Sequence, residues 1–161
     1  MFLVPTLVAP LQVIRQGERD GGAMPPWGVQ KAPAVVDDHA KSFRRGYEAG
    51  VKVALGTDSG VGRHDENAEE MALMVSHEVS TMDAIISATS QAATLLGVQE
   101  RLGTVETRKI ADVLLVGGDP LDDIGILRDT TKISMVMKDG QVFKDLTQNI
   151  VNTDLLEASQ A

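Results

Sequence analysis

The sequence predicts an α/β fold, and three features carry that prediction. Phe2–Val8 is a short, nearly all-apolar run, as found in parallel strands covered on both faces. Val36, Ala40, Phe43 and Tyr47 recur at helical spacing, which marks one buried helix face. Val51–Leu55 follows as a second apolar strand, and the order strand, loop, helix, strand predicts a right-handed crossover between parallel strands.

Taken in order, the first strand spans Phe2–Val8, and a long loop over Gly17–Pro33 is expected next, since glycines and prolines punctuate it. Loops of that length are often functional. Trp27, the single tryptophan, either pins this loop to the body or lines a substrate pocket. The helix through Tyr47 is stopped by Gly50, the strand Val51–Leu55 follows, and Gly56-Thr57-Asp58-Ser59-Gly60 leaves its end. A helix over about 67–76 shows Ala68, Met71, Ala72 and Val75 on one face. Ser80 and Asp83 have the spacing of a capping box for the helix through Ala88, and Ser90–Leu96 is a further helical segment ending at Gly97.

Character changes near residue 100. Val113–Val116 reads as a strand ending in a Gly117-Gly118-Asp119-Pro120 turn. Ile133–Met137 and Gln141–Phe143 flank Asp139-Gly140, a strong two-residue hairpin signal. The polar end, 147–161, reads as a short helix or frayed tail.

Bulk properties narrow the function. A chain of 161 residues with 43% hydrophobic residues is long and apolar enough for a folded core. Its formal net charge of −8 opposes a nucleic-acid or anionic-membrane partner. With no cysteine, disulfides, thiolate metal sites and a cysteine nucleophile are excluded. The apolar start lacks the basic flank of a signal peptide, and no run approaches the ~20 residues of a membrane span. A cytoplasmic protein is the expectation.

Asp58 is the leading candidate for chemistry. It directly follows an apolar strand, among small residues that leave its carboxylate open at the C-terminal end where parallel α/β folds place catalytic groups. A turn or helix-capping aspartate has the same spacing. Asp58-Ser59-Gly60 also has the letters of a serine-protease nucleophile segment, but in the wrong structural setting. Gly60-Val61-Gly62 lacks the lysine of a phosphate loop. His64, beside Asp65 and Glu66, is either a solvated helix start or a substrate contact, whereas His39 and His77 have structural helical settings.

Val51–Gly60 followed by Glu66-Asn67-Ala68-Glu69-Glu70 resembles the last barrel strand and following helix of the amidohydrolase superfamily. The most similar branch is that of prolidase-like and imidazolonepropionase-related metal-dependent hydrolases. Ala92-Ala93-Thr94-Leu95-Leu96-Gly97 resembles the family's final barrel helix, and Leu3–Leu7 its seventh strand. Leu102–Glu106, Lys109–Leu114, Gly118–Leu121 and Val136–Gly140 resemble its return to a small β-sandwich. The likeness extends over about 2–146.

The resemblance implies the C-terminal part of a (β/α)8 barrel, about its last two strands and helices, over 1–97, then β-sandwich strands over 98–146 and a tail over 147–161. It implies hydrolysis of a C–N bond in a small amide, dipeptide or N-acyl amino acid, using one or two divalent metals, zinc foremost, that activate water. The position of Asp58 matches the aspartate that ligates metal and shuttles the water's proton; Trp27 and His64 would contact substrate. The family's remaining ligands, a His-x-His pair, a carboxylated lysine and two further histidines, have no counterpart here. The expected partner is therefore an N-terminal barrel half, and the chain alone is expected to be inactive, with open strand edges favouring self-association. Two departures stand out: Thr107-Arg108 replaces a usual Pro-Gly, and His64-Asp65 a common His-Gly, which changes the freedom of a loop near the site. The competing reading is a non-catalytic α/β binding module derived from the same fold.

Overall fold

The computed structural model describes residues 1–19, 25–60 and 64–147. A first strand, β1 (Phe2–Leu3), leads into α1 (Val8–Gly17) and α2 (Pro26–Glu48), then β2 (Lys52–Val53). After a 3-10 turn at His64–Glu66 come α3 (Glu69–Ser76), α4 (Thr81–Ala88) and α5 (Ser90–Leu95). A second sheet holds β3 (Val113–Val116), β4 (Ile133–Lys138) and β5 (Gln141–Asp145), with a 3-10 turn at Ile124–Arg128 between β3 and β4.

The α/β class holds. β1 and β2 pair in parallel with Phe2 opposite Lys52 and Leu3 opposite Val53, and the Ala54 N–H donates to the Leu3 carbonyl at 3.0 Å. The β3–β4–β5 sheet is an antiparallel meander. At its hairpin, Asp139 and Gly140 both have positive φ (51° and 73°), as the predicted two-residue turn requires.

The crossover differs from expectation in two ways. The strand predicted over Phe2–Val8 is regular only at Phe2–Leu3; Thr6 turns left-handed (φ 49°) and Val8 already opens α1. Of the loop expected over Gly17–Pro33, 26–33 is helix, and 20–24 lies outside the described residues. Pro26 occupies the first helical turn, where its fixed φ is favourable and its missing N–H costs nothing, and Pro33 is carried inside the 23-residue α2. Gly17 is needed there because a Cβ at that position would lie 2.3 Å from Val29 Cγ1, so this glycine permits α1 and α2 to approach. Gly17, Pro26 and Pro33 thus belong to helices and their packing.

The stops read from sequence are present as backbone motifs. Gly50 is left-handed (φ 75°), with its N–H on the Tyr47 carbonyl and the Val51 N–H on that of Gly46. Gly97 repeats this pattern against Thr94 and Ala93. Ser80 caps α4 by accepting the Asp83 N–H at 3.0 Å; Asp83 in return accepts from the Ser80 and Tyr47 hydroxyls. The α3 helix begins at Glu69, not Asn67; Met71 and Val75 of the predicted face pack against the core, but its most deeply buried residues are Glu69, Glu70 and Met74. Leu7, Phe43, Met74, Val79 and Ala84 form the core, with Leu3, Val53 and Leu55 packed against it. Among the described residues no helix is long and apolar enough to cross a membrane. The predicted tail lies, from residue 148 onward, outside the described residues.

Candidate functional site

Asp58 stands just beyond the C-terminal end of β2, exposed, with φ 50°. A non-glycine residue in the left-handed region is uncommon, though aspartate tolerates it better than most. Its neighbours hold it: the Thr57 and Ser59 hydroxyls are 2.6 Å apart, and Ser59 Oγ donates to Asn67 Oδ1 at 3.1 Å. The two strand ends also touch closely. A Cβ on Gly56 would lie 2.4 Å from Val4 Cγ1 and 3.9 Å from Thr6 Cγ2, so glycine is required where β2 passes β1.

His64 lies in the same connection, exposed at the start of the 3-10 turn. Trp27 does not sit in a loop; it is on the first turn of α2, 66% exposed, with Lys31 Nζ 5.9 Å from its ring centroid. No described contact joins Trp27 to Asp58 or His64. Sequence order thus brings Asp58 and His64 into one loop, and the structure leaves Trp27 on a separate element.

Beneath the loop lies a set of carboxylates that sequence reasoning passed over. Glu70 is fully buried, and its two oxygens accept the N–H groups of Leu7 and Val8, each at 2.8 Å. Leu7 is the N-cap position of α1 and offers no side-chain cap, so a residue 63 positions away satisfies the helix's orphan donors. Burial pushes the Glu70 carboxyl up to about 7, against the lowering effect of those two N–H groups. Its neighbour Glu69 takes a two-pronged ion pair from Arg15 (2.6 and 2.9 Å), and this holds its carboxyl below the usual range. Gln12 Nε2 donates to Glu66 Oε2 at 2.5 Å, and Arg128 approaches Glu69 at 3.4 Å from the turn before β4. In the sequence Glu70 stands out only as part of the Glu66–Glu70 run that resembles the family's; hydropathy assigns it to solvent.

Among the described residues no three His, Asp or Glu side chains converge. A catalytic zinc takes about three protein ligands, so Asp58 with its surroundings does not make a metal site on its own.

Comparison with known proteins agrees with this fold. The amidohydrolase family profile matches residues 3–143. Ochratoxinase from Aspergillus niger is 34% identical over 116 residues, which is 71% of this chain and 24% of that protein. A Xaa-Pro dipeptidase solved with methionine in its active site superposes with TM-score 0.79 at 37% identity, covering 89% of this chain and 34% of that one. A prolidase complexed with N-methylphosphonate-L-proline gives TM-score 0.80 at 30% identity, over 89% of this chain and 35% of that one. The chain thus spans about a quarter of the curated relative's length and about a third of these solved chains. A family profile matched over nearly the whole chain, residues 3–143, makes this chain a member of the amidohydrolase family.

Proposed function

We propose that this chain supplies Asp58 as the reacting carboxylate for metal-dependent hydrolysis of a C–N bond in a small amide, dipeptide or N-acyl amino acid. The observation that carries the reading is the position of Asp58: the C-terminal end of a parallel strand, left-handed, exposed and braced through Thr57, Ser59 and Asn67. A dipeptidase and a prolidase among the structural relatives favour a dipeptide-like substrate. In this reading Asp58 Oδ accepts a proton from the attacking water and returns it to the leaving nitrogen. His64, in the same loop, contacts substrate; Trp27 does so only if another element brings substrate to the start of α2. The ion, zinc or another divalent metal, one or two per site, is held jointly by Asp58 and by ligands outside the described residues. A barrel half bearing the earlier strands is the partner this requires.

Elemental analysis of the purified chain, alone and mixed with such a barrel half, tests the reading. About one equivalent of metal in the mixture, lost in Asp58→Ala, is expected. Stoichiometric metal on the lone chain would overturn the shared-site reading, and none in either sample would favour a non-catalytic module.

A further inference from the structure

We propose that Glu70 is a positioning residue for Asp58: from the buried face of α3 it pins the turn after β1 and so fixes the rim on which Asp58 stands. The inference rests on Asp58 being the reacting carboxylate.

The connections close a ring. β1 pairs with β2, β2 leads to Asp58, the Asp58 loop leads to α3, and Glu70 on α3 reaches back to Leu7 and Val8 just past β1. Both oxygens are used, on adjacent N–H groups, so the carboxylate sets the direction as well as the distance of the turn. Thr6, the residue immediately before, is left-handed, and its Cγ2 faces Gly56, two residues ahead of Asp58. Two left-handed non-glycine residues, Thr6 and Asp58, therefore lie in the segments that follow two paired strands, and Glu70 holds the residues right after Thr6. Strained conformations of this kind persist only where surrounding contacts over-determine them. Glu69 is already matched to Arg15, and no described cation reaches Glu70. For packing alone, an apolar residue would avoid burying a carboxylate there. What the carboxylate adds is a paired acceptor of fixed geometry.

Glu70→Gln tests this because it keeps size and shape but replaces one acceptor oxygen with an NH2 that faces a backbone N–H. Ser80→Ala, which removes the N-terminal cap of α4 without touching Leu7, Val8 or Glu70, is the control for a purely structural loss. In the 161-residue chain, NMR reads the left-handed state of Thr6 and Asp58 as strong intraresidue HN–Hα contacts. Glu70→Gln is expected to weaken both and to raise amide exchange at Leu7 and Val8 by tenfold or more; Ser80→Ala leaves all of these unchanged. In the mixture with the barrel half, hydrolysis of a proline dipeptide should lose kcat on the order of 10- to 100-fold in Glu70→Gln, with KM within about twofold. Unchanged Thr6 and Asp58 signatures in Glu70→Gln would overturn the proposal, whether or not the mixture is active. If Asp58→Asn retains hydrolysis, the assignment of Asp58 fails; if Asp58→Asn is dead while Glu70→Gln keeps full kcat, only the positioning role fails.

Discussion

The β1–β2 rim and the β3–β4–β5 meander are both made of apolar strands, but they are held by different means. Around the rim, regular pairing covers only two residues per strand, and the geometry comes from partners far away in sequence: Glu70 on Leu7 and Val8, Gly56 against Val4, Phe43 and Met74 in the core below. The meander is held by its own ladder and hairpin turn, while Leu114, Leu115, Val142 and Phe143 remain substantially exposed. The rim's left-handed residues, Thr6 and Asp58, are braced by segments distant in sequence, whereas the meander's, Asp139, belongs to a local two-residue turn between strands whose ladders shift register at Leu115/Val116 and Val136/Met137. Contacts from several directions support the left-handed residues of the rim.

Core truncation should separate the two regions most strongly. Phe43, 2% exposed, loses about 3–5 kcal/mol of stability on change to alanine, whereas Phe143, 69% exposed, loses about 0.5 or less. Chemical denaturation measures both, and equal losses would break the comparison.

The next effect is pH-dependent. Glu70 has its carboxyl raised from the ordinary 4.5 to about 7 in the folded chain, so the folded chain binds this proton more tightly than the unfolded chain does. Its contribution is complete below about pH 4.5 and is lost as pH rises through 7, a change on the order of 3 kcal/mol. Glu69, held low by Arg15, has the opposite sign: its contribution is present above the ordinary carboxylate range and is lost as pH falls. Denaturation midpoints between pH 4.5 and 8 should therefore decline in the parent chain and flatten in Glu70→Gln. A parent profile that is already flat would remove Glu70 from the comparison.

Smaller effects sharpen it. Gly17→Ala drives a methyl into Val29 and should cost about 1–3 kcal/mol, with Val29→Ala in the same chain recovering part of the loss in a double-mutant cycle. Gly140→Ala meets no atom within 4 Å, so its cost comes only from the left-handed backbone, about 1 kcal/mol in thermal melts. A larger cost at Gly140 than at Gly17 would mean that the meander depends more on its turn than the rim does on helix packing.

Much of this was legible locally. Gly50, Gly97, Ser80 and the Asp139-Gly140 hairpin act within a few residues, and each forms the motif its spacing predicts. Asp58 was legible from its place after an apolar strand, because strand direction alone sets which end it occupies. Pro26 and Pro33 misled, since proline suits a helix's first turn as well as a loop, and local sequence does not separate the two. The buried face of α3 was illegible for another reason: hydropathy counts Glu70 as a surface residue, and the donors that satisfy it lie more than sixty positions upstream.

The sequence by itself determined the α/β class, the order and stops of most helices, the hairpin register and the strand-end aspartate, because those follow from periodicity and from backbone preferences of single residues. Tertiary structure alone decided that α2 begins inside the expected loop and packs on α1, that a glutamate on α3 is buried against the turn after β1, and that Thr6 and Asp58 share the left-handed conformation. Each of these depends on free energy exchanged between segments distant in the chain: steric room for Gly17 against Val29, and hydrogen bonds repaying the burial of Glu70.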